Sequence, residues 1–209
     1  MKKIFVLFSC LFSIILLTGC GMDNTPTKRV EGFLDSYRKE DSNVIDQLKE
    51  MVDADSLMND SQKEEYTSII KNQYKNMTYE IKDEEINGND ATVTAEVEVY
   101  DYYKVNKDSE EYYNNNQNEF EENSSVAEDI KDAADKVKEK AEDVAEDVKD
   151  AVTSKKESNF VDYRLGKLKE TKDRVKYTID FSLTKVDSKL VLNDIDEVTR
   201  QKLHGLYEH

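Results

Sequence analysis

Beyond residue 24 the apolar positions first repeat with the period of a helix. Val30, Phe33, Leu34 and Tyr37 fall at i, i+3, i+4 and i+7, the stripe of an amphipathic helix. Thr25 is placed to cap its orphan N–H groups, and Pro26 suits its first turn. Asp41-Ser42 interrupts the pattern. Val44, Ile45, Leu48, Met51 and Val52 then form a second stripe. Ser61 and Glu64 have the spacing of a capping box, which predicts a third helix burying Tyr66, Ile69, Ile70 and Tyr74.

At Tyr79 the period changes from 3.6 to 2. Ala91, Val93, Ala95, Val97 and Val99 alternate with Thr92, Thr94, Glu96 and Glu98, which predicts a strand with one buried face. Asn87-Gly88-Asn89-Asp90 supplies the reversal that joins it to a strand beginning at Tyr79 and Ile81. Val175, Tyr177, Ile179, Phe181 and Leu183 repeat the alternation, Asp187-Ser188 turns the chain, and Leu190-Val191-Leu192 returns. A last helix from about Ile195 is predicted to bury Val198, Leu203, Leu206 and Tyr207. The expected fold is α+β: three N-terminal helices on a curved four-stranded antiparallel sheet of two hairpins, with a long inserted helix and a C-terminal helix.

The insertion occupies about 104–156. Residues 104–125 are polar and read as a loop or weak helix. In 126–152, Val126, Val137 and Val148 repeat every eleven residues, so the stripe runs nearly straight along a helix of ~40 Å. Thr153-Ser154 reads as its end, and a shorter helix with Val161, Leu165 and Leu168 on one face follows. The stripe of 126–152 allows self-association, contact with a partner, or a solvated helix held by local ion pairs. Its acidic polar face argues against a membrane-surface helix.

Composition adds one strong constraint. The net charge is −16, which excludes the basic footprint that nucleic acid requires. The N-terminal segment adds another. Lys2 and Lys3 precede an apolar run, Ile4 to Leu17, that ends in Leu17-Thr18-Gly19-Cys20. The run is short of the ~20 residues of a spanning helix and has the layout of a signal peptide. Its ending is similar to a bacterial lipobox. The resemblance implies cleavage between Gly19 and Cys20, acylation of the Cys20 sulfur, and a chain held by lipid on the outer face of the cytoplasmic membrane. Residues 20–24 would be the tether and 25–209 a single domain. Removing 19 of the 209 residues leaves 190, and losing Lys2 and Lys3 takes the charge from −16 to −18.

Together with the lipobox, the blocks at 25–34, 79–84, 91–102, 177–187 and 202–207 resemble small surface lipoproteins of Gram-positive-type bacteria. The element order is similar to the α+β fold of the nuclear-transport-factor-two-like and cystatin-like superfamily. That resemblance implies a fold shared by enzymes, binding proteins and assembly modules, and no particular reaction.

The candidate chemistry is sparse. Asp53, Asp55 and Glu64 sit at positions 1, 3 and 12 of a calcium loop, but Leu57 and Met58 stand where an oxygen ligand and a glycine are needed. His204 and His209 are the two histidines, and no nucleophile signature accompanies them. Neither a metal nor a cofactor is called for. Tyr100, Tyr102, Tyr112 and Tyr113 are the concentration best suited to contact a ligand or partner, because a tyrosine offers a ring to stack and a hydroxyl to bond. The expectation is a non-enzymatic binding domain for an unidentified protein or small molecule. The alternative is an enzyme of the superfamily that uses Asp and Glu in its pocket.

Overall fold

The structure is a computed structural model, and it describes residues 24–122 and 141–209. The signal segment, Cys20 and residues 126–140 of the eleven-residue repeat lie outside the described residues. In chain order come α1 (Pro26–Arg38), α2 (Ser42–Asp53), α3 (Asp60–Asn76), β1 (Thr78–Asn87) and β2 (Asp90–Tyr100). Then follow α4 (Tyr102–Asn115), α5 (Gln117–Glu122), α6 (Ala141–Glu170), β3 (Arg174–Val186), β4 (Lys189–Leu192) and α7 (Glu197–His204). The strands form one antiparallel sheet in the order β1-β2-β3-β4. The α+β class and the two hairpins are as the sequence predicts.

The alternation sets which face is buried. Val93, Ala95, Val97 and Val99 on β2 and Ile179, Phe181 and Leu183 on β3 are almost fully buried. Opposite, Glu96 pairs with Lys176 at 2.8 Å and Thr94 donates to Asp180 at 2.7 Å on an open polar face. The inward face is covered by α1 and α3. Phe33 of α1 meets Phe181 edge to face at 5.7 Å between ring centres. Tyr37 meets Tyr74 at 5.1 Å.

Turn chemistry fixes the hairpins. Gly88 adopts φ 67°, and Asp187 and Ser188 adopt φ 48° and 67°, the left-handed pair a two-residue hairpin needs. Thr25 caps α1 through a bond from the Lys28 N–H. Across the fold, Glu84 of β1 accepts from the Thr27 N–H at 2.9 Å and its hydroxyl at 2.6 Å.

Five predicted details differ. The capping box of α3 is Asn59 with Gln62, not Ser61 with Glu64. The shift lets the Gln62 side-chain amide also donate to Asp162 (2.7 Å) and to the Ser158 carbonyl (3.1 Å) of α6. Residues 102–122 form two helices rather than a loop or weak helix. Thr153-Ser154 does not end a helix; α6 runs through it. Each such residue costs only a few tenths of a kcal/mol in a helix interior, and the Val161, Leu165 and Leu168 side chains anchor the helix in the core. The final helix starts at Glu197, because Asp196 caps it through the Thr199 N–H at 2.7 Å. Val198 is 42 % exposed rather than buried. It lies about 140° around the helix from Leu203, which fills the core.

Phe181→Ala should cost ~3–5 kcal/mol, since it empties a ring-sized space in a well-packed core. Urea unfolding checks this. A loss near zero would mean that β3 does not present this face to α1.

Candidate interaction site

The four tyrosines separate into two places. Tyr100 ends β2 on the open face, with the Arg174 guanidinium 5.0 Å from its ring centre. By strand parity Tyr102 would share that face, but it begins α4 and is 1 % exposed. The cause is Asp101. Its carboxylate accepts from the Lys104 N–H at 2.9 Å, and its own N–H donates to the Asp173 carbonyl. The cap converts strand to helix at the next residue. Tyr102 then donates to the Ile69 carbonyl inside the fold and is withdrawn from any partner. Tyr103, which strand parity would turn to the inward face, likewise lies on α4.

Tyr112 and Tyr113 join a second cluster. Tyr112 stacks on Tyr163 at 5.0 Å with 15° between planes, and Tyr113 lies 4.5 Å from Phe160. Phe120 of α5 touches all four of these rings at 5.1–6.3 Å. Phe120 is buried, and the other four rings are half-buried. None of the five belongs to the main core. They form a separate aromatic seam that binds α4, α5 and α6 at the base of the insertion.

Cations border the seam. Lys156, Arg164 and Lys167 lie 5.8, 5.7 and 5.3 Å from the centres of Tyr113, Phe160 and Tyr163, within cation–π range. Tyr112 donates to Glu119 at 2.6 Å, and this bond and then burial raise its pKa. Phe160 and Tyr163 escaped the sequence reading because α6 was read there from its Val161–Leu165–Leu168 stripe. Their i, i+3 spacing was the available signal.

Away from the seam, burial also shifts titrations in the core beneath α7. His204 Nε2 is 2.9 Å from the Tyr74 hydroxyl. Burial, with the charge of Arg200, holds the His204 pKa down to about 4. Burial pushes Tyr37 up to about 12 and Tyr74 well above its usual value. Gln73 lies beside this pair and is 0 % exposed. Its amide accepts from the Tyr100 N–H at 2.8 Å and donates to the Tyr100 carbonyl at 3.1 Å and the His204 carbonyl at 3.0 Å. Gly205 passes so close that a Cβ there would fall 2.1 Å from the Tyr100 oxygen. At the chain end, His209 Nε2 is 3.3 Å from Asp101 Oδ2.

The rejected calcium loop is a connector: Asp55 accepts from the Leu57 N–H at 2.8 Å. Among the described residues no group of three or more His, Cys, Asp or Glu is placed to hold a metal. No helix among them is long and apolar enough to cross a membrane. No family model, no curated protein and no solved structure matches the chain.

Two outcomes follow from these clusters. The His204 pKa is depressed on folding, so its contribution is full above about pH 6.5 and is lost as pH falls toward about 4, by ~3 kcal/mol in all. Urea midpoints across this window should fall for the natural chain and fall less for His204→Gln. Equal slopes would assign the loss to carboxylates.

Phe120 and Asn159, on either side of residues 123–155, lie next to each other, with Asn159 Nδ2 donating to the Phe120 carbonyl at 2.9 Å. Replacing residues 123–155 by a short Gly-Ser linker should therefore preserve a cooperative melt. At this size ~1 kcal/mol moves Tm by ~2–4 °C, and a drop of only that order is expected in calorimetry. Loss of the transition would place the excised stretch in the core.

Proposed function

We propose that this chain is a lipid-anchored extracytoplasmic domain, tethered through Cys20, that binds a partner rather than catalysing a reaction. The observation that carries the reading is Leu17-Thr18-Gly19-Cys20 at the end of a short apolar run behind Lys2 and Lys3. The helix α1 begins at Pro26, a few residues later, so the tether is brief and the domain stays close to the bilayer. Acyl chains on Cys20 hold such a domain through buried methylenes, at ~0.8 kcal/mol each. An acidic chain gains little from anionic headgroups.

The binding role is supported by how the polar side chains are engaged. His204 is bonded to Tyr74, and Gln73 to backbone, in the core. The aromatic seam gives α6 a stiff footing, and its half-buried rings, with Tyr112 and Tyr113 among them, offer the surface for a partner. Tyr100 offers a second, smaller contact on the open sheet face.

In a host with lipoprotein processing, Cys20→Ala should accumulate as full-length precursor and take up no labelled fatty acid. Normal cutting and labelling of that variant would overturn the anchor. Crosslinking from intact cells tests the binding role. A photoreactive residue at 113 should capture a defined partner, and one at 180, on the open face away from Tyr100, should not.

A further inference from the structure

We propose that the rim of the sheet where both hairpins turn is the surface that rests on the membrane, with Ile86 and Val186 entering the headgroup layer. The proposal rests on the anchor reading above and adds an orientation to it. The geometry begins with α1, which runs antiparallel to β1. At its start Thr27 is bonded to Glu84, and toward its end Asp35 accepts from the Tyr79 hydroxyl at 3.0 Å. The N-terminus of α1, where the tether enters, is therefore at the hairpin end of the sheet.

The strands continue past that helix. From Glu84 to the turn at Gly88 is four residues, or ~13 Å of strand. Ile86 shows the consequence. It pairs with Ala91, which pairs with Leu183, both buried, so Ile86 has the inward parity. It is nonetheless 60 % exposed, because α1 begins too late to cover it. On the neighbouring hairpin Val186 pairs with Lys189 and is 52 % exposed. The Lys185 N–H donates to the Asn89 carbonyl at 2.7 Å and joins the two tips into one rim.

Chain length supplies the occupant. From Cys20 to Pro26 is six residues, at most ~20 Å when fully extended. An acylated Cys20 would keep the first turn of α1 within that reach of the lipid, and the overhanging tips occupy the space between. So short a tether raises the local concentration of lipid at the rim to the millimolar range or above, so a contact too weak to recruit a free domain suffices. Lys185 and Lys189 are offset by Glu85, Asp90 and Asp187. The contact is therefore apolar, and uncharged lipid satisfies it.

The test uses the full processed chain purified from membranes and reconstituted in phosphatidylcholine vesicles carrying a photoactivatable phosphatidylcholine. Mass spectrometry first reads the mass of the Cys20 peptide and then locates the lipid adducts. Adducts concentrated in 84–90 and 184–191 are expected. The double variant Ile86→Asp, Val186→Asp should reduce them at least fivefold while its melting temperature stays within about 2 °C, since both side chains are exposed. Acylated Cys20 with adducts elsewhere, as around Leu57 or Val198, overturns the orientation alone. Cys20 without acyl chains overturns the anchor reading and the orientation with it.

Discussion

One buried amide holds the two ends of this fold together. Gln73 meets both the N–H and the carbonyl of Tyr100, as a neighbouring strand would, and also takes the last carbonyl of α7. Tyr100 is where β2 stops, α4 is about to begin, and the C-terminal segment returns. Three backbone groups, two half-buried and one buried, would otherwise lack this partner, and each buried unsatisfied group costs ~1–3 kcal/mol. Gly205 lets the backbone come close enough for this arrangement, and its left-handed φ of 69° ends α7 at the same point. Asp101, one residue beyond Tyr100, then redirects the chain into the insertion. The sheet end, the C-terminus and the insertion are therefore positioned by neighbouring bonds.

The molecule keeps two packing systems apart. The main core is aliphatic and aromatic, and it lies between the sheet and α1, α3 and the second half of α6. The seam of Tyr112, Tyr113, Phe120, Phe160 and Tyr163 is aromatic throughout and lies between helices. Rings suit this task. A short helix such as α5 contributes few side chains, and one phenylalanine buries as much area as several alanines.

How much of this was legible follows from the physics of each part. A sheet with one wet face writes itself as strict alternation, so β2 and β3 were readable residue by residue. Thr25-Pro26 announced α1 for the same local reason. The misreadings occurred where a local rule met a distant contact. Tyr100 and Tyr102 continue the alternation, yet Asp101 breaks the strand between them. Gln62 caps α3 in place of Glu64 because it also reaches α6. The helices α4 and α5 are rich in Asn and Glu, and the few rings that fix them find their partners some forty residues away. The junction around Gln73 left no pattern at all, since a single glutamine on a helix has no sequence signature for what it will bond.

The pairing of β2 with β3 carries a kinetic meaning. Their register matches Tyr100 with Arg174 and Asp90 with Thr184, so the central ladder of the sheet closes a loop that contains the whole insertion. Loop-closure entropy grows only slowly with length, which lets the stretch between them lengthen or shorten at small thermodynamic cost. Folding rate responds differently, because pairings distant in sequence slow the search. A chain emerging from its N-terminus has α1, α2, α3 and one hairpin in hand, but half the inward face of its sheet is still missing. The sheet is completed only when β3 arrives to pair with β2.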